Sequence, residues 1–145
     1  MIKKQFVFIT LLFMVVSLSA VSVMAEGSGK QKSSPFLITG KLPHLTKLLM
    51  QQWESPELKL SEAQKAKLLV VRKATISGAQ KLGKEINALE SEVVEGSNSG
   101  KKPEELRSIV QKIEKLKGEA TMLHLSCIYN TSNILDQQQL AFLTK

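Results

Sequence analysis

The sequence has 145 residues, a net charge of +7 and a single cysteine. One cysteine cannot form an internal disulfide, so packing alone must hold the fold. No GxSxG, HExxH or complete phosphate-binding glycine loop is present, and we therefore expect a protein that binds rather than an enzyme. The modest positive charge favours acidic partners or anionic surfaces and gives no reason to expect nucleic acid.

Residues 1–25 have the pattern of a secretory signal peptide. A basic start (MIKK) precedes an apolar run that extends to about Met24, and the run closes with VMA, which fits a small-x-small cleavage site. Cleavage predicts a periplasmic protein with 18 basic and 13 acidic residues, a net charge of +5. An uncleaved N-terminal anchor is the alternative, because the run approaches the ~20 residues that cross a bilayer.

Two further regions follow the leader. Residues 26–40 begin with EGSGKQKSSP, which is rich in glycine and serine, and predict a flexible N-terminal segment. Residues 41–145 predict one helical domain. Its first element is a short helix over residues 42–53, with Pro43 in its first turn, and the ESPE sequence that follows ends it.

The first long helix is predicted from Ser61 to about residue 95. Ser61 is a good N-cap, and Gln64 can complete a capping box by reaching back to the backbone of the cap. No proline interrupts the stretch, and apolar or small residues recur at heptad spacing. These seam positions are Leu68, Thr75, Ala79, Leu82, Ile86, Leu89 and Val93. EGSNSGKKP, residues 95–103, predicts the turn that follows.

A second long helix begins near Pro103 and is predicted to end at NTSN, residues 130–133. Its seam consists of Leu106, Ile109, Ile113, Leu116, Ala120, Leu123 and Cys127. A short closing helix begins at Asp136, with Gln139 in the position that Gln64 holds in the first long helix. Two long helices joined by a loop form a thin hairpin, which leaves apolar surface for dimerisation or for an apolar partner.

Three glycines inside the long helices suggest that this hairpin is curved, because glycine permits bending and close approach. These are Gly78, Gly83 and Gly118. The sequence therefore predicts an all-α fold, a long curved helical hairpin flanked by two short helices.

LKLSEAQKAKL and MLHLSCIYNTSNILDQQQLAFL resemble the LTxxQ family of small periplasmic proteins, the Spy/CpxP-like proteins. Serine and aspartate replace the motif threonines, and both keep an N-cap. The order of leader, short helix, motif, long helix, loop, long helix and motif also agrees. The motif positions are Leu60, Ser61 and Gln64 in the first copy and Leu135, Asp136 and Gln139 in the second.

The resemblance implies a helical hairpin that pairs into a cradle-shaped antiparallel dimer. It implies an ATP-independent chaperone or envelope-stress adaptor that binds unfolded or stress-damaged envelope proteins. Other members of the family inhibit a sensor kinase, or bind metals in metal-responsive signalling. A regulator of the periplasmic domain of a sensor kinase and a metal-binding accessory protein are therefore the alternatives.

Client binding predicts a basic face with apolar patches on the two long helices, which would attract acidic segments before apolar side chains are buried. The alternative is an ordinary solvated helix face. The basic candidates are Lys65, Arg72, Lys73, Lys81 and Lys84 on the first long helix and Arg107, Lys112 and Lys115 on the second.

A metal site is the other candidate. His124 and Cys127 lie three residues apart and share a helix face, and His44 can join them from the short helix. Imidazole and thiolate suit zinc, copper or nickel. The alternative is a buried cysteine beside a hydrogen-bonded histidine, since the surroundings are apolar and neither HxxxH nor CxxC occurs.

Overall fold

The computed structural model describes residues 34–145, which contain four helices and no strand. The helices are α1 (Leu45–Gln51), α2 (Glu62–Asn98), α3 (Pro103–Ile134) and α4 (Gln137–Leu143). The predicted all-α class is confirmed for this part of the chain. The predicted signal peptide, and the predicted flexible segment as far as residue 33, lie outside the described residues. Within residues 34–145, no helix is both long and apolar enough to cross a membrane.

Capping boxes start α2 and α4, as the two motifs predict. Ser61 Oγ accepts a hydrogen bond from the Gln64 backbone at 3.2 Å, and Gln64 Oε1 accepts one from the Ser61 backbone at 3.0 Å. Asp136 Oδ1 and Gln139 Oε1 make the same reciprocal pair at 2.8 and 3.0 Å. Each box satisfies backbone donors that a helix N-terminus leaves unpaired.

The two long helices pack against each other in opposite directions. Leu123 of α3 lies beside Gly78, Lys117 forms an ion pair with Glu90 at 2.7 Å, and Leu106 lies beside Gly96 near the loop. Every residue of the two predicted seams is buried or partly buried. The heptad pattern therefore identified the faces that meet.

Close approach of the two helices depends on two glycines. A Cβ added at Gly78 would lie 2.7 Å from Leu123 Cδ2, and one added at Gly96 would lie 2.6 Å from Leu106 Cδ2. Gly118 differs, because a Cβ there would meet no atom within 4 Å. Gly78 thus serves close packing, the second of the two uses predicted for a helical glycine.

Three predicted boundaries are wrong by a few residues. The helix α2 continues through Asn98, because the turn needs only residues 99–102, with Gly100 at φ +79°. The NTSN sequence does not end α3, which runs to Ile134 with Thr131 fully buried inside it. Tertiary packing there outweighs the weak helix propensity of asparagine, threonine and serine. His44 is the N-cap of α1, so that helix starts at Leu45.

A compact apolar core lies at the end of the helix pair where α1 and α4 are found. Trp53 and Phe142 pack against it from the side. Its buried members come from α1, α2, α4 and the segments before α2 and α4, and they are Leu49, Leu58, Leu68, Leu135 and Leu143. The leucine before the second cap, Leu135, belongs to this core, and Leu60 before the first cap packs against it.

Replacing Ser61 by alanine should lower the free energy of unfolding by about 1 kcal/mol, because the cap of α2 is lost. The control is Ser77→Ala, at an exposed position inside α2, which should be neutral or slightly stabilising because alanine has the higher helix propensity. Urea unfolding followed by circular dichroism measures both. Equal effects of the two changes would mean that the cap does not stabilise α2.

Candidate functional site

The glutamines of the two motifs bind each other. Gln64 Nε2 donates to Gln139 Oε1 at 2.8 Å, and Gln139 Nε2 lies 3.3 Å from Gln64 Oε1. The contact joins residues 75 positions apart. We call this pair of side-chain amides the glutamine lock. It ties the start of α2 to the start of α4.

The lock also binds backbone carbonyls of the segments around it. Gln64 Nε2 donates to Ile134 O at 2.9 Å, and Gln139 Nε2 donates to Leu58 O at 3.0 Å. Leu58 is fully buried and Gln139 is 6 % exposed. A buried carbonyl without a donor costs about 1–3 kcal/mol, so these bonds remove a large penalty. The motif residues therefore position chain segments.

The sequence predicts the two caps but not the hydrogen bond between Gln64 and Gln139. A capping box uses the oxygen of the glutamine amide and leaves both N–H donors of the amide free. Glutamines at equivalent positions of two helix starts therefore carry donors that need acceptors. These free N–H donors are the sequence feature from which a contact between the two glutamines could be predicted.

Replacing Gln139 by leucine should cost about 1–3 kcal/mol of unfolding free energy, because the buried Leu58 carbonyl loses its donor. A double-mutant cycle with Gln64→Leu should show a coupling of about 0.5–3 kcal/mol, as expected for side chains in one network. The matched control is Gln138→Leu at an exposed position of α4, with little effect expected. Strict additivity of the two lock substitutions would contradict direct coupling.

Three rings from three parts of the chain meet beside α3. The rings of His44 and His124 stack with centroids 4.6 Å apart and planes 17° apart. The ring of Phe36 lies closer to His124 than to His44, with centroid distances of 5.0 Å and 6.5 Å. His124 is only 5 % exposed, and neither of its nitrogens forms a hydrogen bond with residues 34–145.

Burial lowers the pKa of the His124 imidazole below its usual 6.5, and positive charge on His44 lowers it further. The backbone of Pro43 acts in the opposite direction. The ring is therefore held in its neutral form near neutral pH.

The three candidate metal ligands come together only in part. His44 and His124 are in contact, whereas the Cys127 thiol faces Thr46 Oγ1 at 3.9 Å. Imidazole lone pairs lie in the ring plane, so two stacked and nearly parallel rings direct them side by side and not at one ion. Among residues 34–145, no group of three or more histidine, cysteine, aspartate or glutamate side chains is placed to hold a metal. This arrangement does not fit a metal without rotation of a ring.

The eight basic candidates divide into two groups. Lys65 pairs with Glu62 at 3.2 Å, and Arg72 Nη1 donates to Thr46 O at 3.4 Å, so both are partly buried within the chain. The other six are exposed to solvent, and they are Lys73, Lys81, Lys84, Arg107, Lys112 and Lys115.

Sequence reasoning did not identify an exposed row of apolar side chains on α3. Met122, Leu125 and Tyr129 are 61 %, 36 % and 69 % exposed. Their spacing of three and four residues places them on one face of the helix. We call these three residues the apolar stripe. Two exposed apolar residues of α2, Leu69 and Ile76, share a face in the same way, with Lys73 between them.

A groove lies between α2 and α3 close to the stripe. Its volume is about 400 Å³, and its wall is mostly apolar. Asn133 lines it and lies four residues after Tyr129, on the same face of α3, so the stripe leads to the rim of the groove. The lining residues are Lys67, Val70, Val71, Asn130, Asn133 and Ile134.

Comparison with known proteins adds no relative to this geometry. No family model, no curated protein and no solved structure matches the chain at a significant level. The resemblance to the LTxxQ family therefore stays a prediction from the two motifs and their order.

His124 should make the stability of the protein depend on pH. The unfolded chain takes up the proton at its usual pKa of 6.5 and the folded chain at a lower pKa. Stability should therefore be complete above pH 6.5, fall as the pH drops below that value, and level off beneath the folded pKa. Two groups of the neighbouring segment act on this ring, the His44 side chain and the Pro43 backbone.

Urea unfolding of the protein and of His124→Leu between pH 4.5 and 8 measures this dependence. The substitution should flatten the decline on the acid side of pH 6.5. NMR titration of the His124 ring gives its pKa directly, whether or not the variant folds well. A pKa at or above 6.5 would contradict the effect of burial.

Proposed function

We propose that this chain is an exported, ATP-independent chaperone of the cell envelope that binds unfolded or stress-damaged proteins. The apolar stripe carries the proposal. Single exposed apolar side chains are common on soluble proteins, but three in a row on one helix face suggest a binding surface. Methionine and tyrosine suit varied partners, because one is flexible and the other has an apolar body with a polar tip.

The groove supports the same use. It is large enough for one or two apolar side chains, and its rim carries Lys67 and two asparagine amides. A partner segment that follows the stripe can place an apolar side chain in the groove and a carboxylate near Lys67. The six exposed basic candidates add long-range attraction to acidic segments, which speeds encounter without fixing sequence.

The predicted curved hairpin and cradle-shaped antiparallel dimer belong to this proposal. The helix pair is thin, and it leaves more apolar side chains exposed than we expect for a soluble monomer. A second copy of the chain that covers part of this surface would leave the rest for clients. The predicted cleavage after residue 25 supports a periplasmic location.

Replacing Met122 and Tyr129 together by serine should weaken suppression of aggregation several-fold, because the apolar stripe is interrupted. Both side chains are more than half exposed, so melting temperature should change little. The assay follows light scattering from an unfolding test protein without ATP. The matched control is Val94→Ser with Val110→Ser, an exposed apolar pair near the loop.

Equal suppression by the stripe variant, the control variant and the unmodified chain would exclude the stripe as the client surface. A chain that suppresses no aggregation and binds one folded partner would instead fit a regulator of a sensor kinase. Sedimentation of the same samples reports whether the chain is a dimer.

A metal-binding accessory protein is the second candidate function. The contact between His44 and His124 favours it, together with the two unpartnered nitrogens of His124. Zinc would require one ring to rotate and further ligands from solvent or from a second copy of the chain.

Added zinc should then raise the melting temperature, and His44→Ala should remove that effect. Exposed Lys47→Ala on α1 is the control for changes at the same helix. A melting temperature indifferent to both zinc and a chelator would exclude this candidate.

A further inference from the structure

Residues 34–38 lie across both long helices, and we call them the strap. Pro35 sits over α2, where a methyl group added at Gly83 would lie 3.8 Å from Pro35 Cβ. Leu37 donates its backbone N–H to Thr121 Oγ1 of α3 at 2.8 Å. Phe36 lies between them and approaches the His124 ring.

The surface beneath the strap contacts it through features that many unfolded segments share. Gly83 offers a bare helix backbone to a flat proline ring. His124 offers a buried ring to an aromatic side chain. Thr121 donates its own hydroxyl proton to Lys117 O at 2.8 Å, so its oxygen is free to accept from any backbone N–H. These contacts require a proline ring, an aromatic ring or a backbone N–H, and none of them requires one particular amino acid sequence.

The strap is held by few contacts. It contains no helix, and among residues 34–43 its hydrogen bond to Thr121 is the one backbone N–H bond that reaches another element. Leu37 and Ile38 are 57 % and 43 % exposed, so their apolar surface adds little to the attachment. A segment bound this way has low local stability and opens readily.

We infer that the surface formed by Gly83, Thr121 and His124 is a docking site for an extended peptide segment with a proline or aromatic residue followed by a residue that donates its backbone N–H. At rest the strap occupies this site as an internal competitor. A client segment of the same chemistry displaces the strap and takes over its contacts. The inference rests on the proposed chaperone function, for which it names the class of segment and a mode of regulation.

The strength of this competition follows from the tether. The strap is linked to α1 by only a few residues, which gives it an effective concentration on the order of mM at its site. If the strap occupies its site about two-thirds of the time, it weakens the apparent affinity of a competing peptide about threefold. Weakening the strap should therefore strengthen peptide binding, which is the reverse of what loss of a binding residue does.

The test uses the full chain and a fluorescein-labelled peptide of sequence SSPFLITG, followed by fluorescence anisotropy. Phe36→Ser should bind this peptide about threefold more tightly than the unmodified chain, or more tightly still. Adding Thr121→Val should reverse the gain, because the acceptor for the peptide backbone is lost. Leu37→Pro weakens the strap independently by removing its N–H donor. It replaces Phe36→Ser in this test if that variant does not fold.

Equal peptide affinity in the unmodified chain and in a folded strap variant would overturn the inference, as would the absence of binding to all of them. The aggregation assay, run in parallel, separates this failure from that of the proposed function. Suppression by a chain whose strap variants behave identically would exclude the docking site and leave the chaperone function in place. Peptide binding that responds to the strap, without suppression, would exclude the chaperone function and keep the docking site.

Discussion

Two glutamine amides hold the helix pair together at the end opposite the loop that connects α2 to α3. At the other end, residues 99–102 connect α2 and α3 covalently. At the open end, Gln64 and Gln139 bind each other and the carbonyls of Leu58 and Ile134. The apolar core lies around this lock, and it includes Leu58 and Leu135 from the segments that the lock holds. The short helices thus depend on a polar contact at the centre of an apolar cluster.

A buried polar pair of this kind adds specificity that leucines alone would lack. Apolar side chains pack in several registers at similar energy, whereas buried amides must meet their partners or pay for desolvation. The lock accepts one register of α4 against α2. Because it fixes that end of the domain, the rest of the helix pair can leave apolar residues exposed, such as those of the apolar stripe. Surface that a fold does not need for stability is then available for binding.

Local signals in the sequence predicted the local structure well. Ser61 and Asp136 predicted the two caps, and the heptad rows identified the seams, because capping and periodicity act over a few residues. The predicted end of α2 is wrong because the turn needs only residues 99–102, and the predicted end of α3 is wrong because burial of Thr131 outweighs the composition of NTSN. The sequence predicts the contact of His44 with His124 only as part of a metal site, whereas the two rings stack.

The long-range features were missed for a physical reason. Neither the position of Phe36 over His124 nor the bond between the glutamines follows from local spacing, because each joins segments far apart in the chain. The exposure of Met122 and Tyr129 depends likewise on which face of α3 has no neighbour. Helix periodicity places the two residues on one face, but only the packing of the other elements shows that this face is open.

The separation of 75 residues between the glutamines also sets the order of events in folding. Contacts near the loop, such as Leu106 with Gly96, close a short stretch of chain and cost little entropy, whereas the lock closes most of the domain. We therefore expect the helix pair to form from the loop towards the lock, with the lock forming late. A contact that is absent from the transition state governs the rate of unfolding more than the rate of folding. We therefore expect the contact between the two motifs to slow the unfolding of the domain. Gln139 can bind Gln64 only after nearly all of the helix pair has formed.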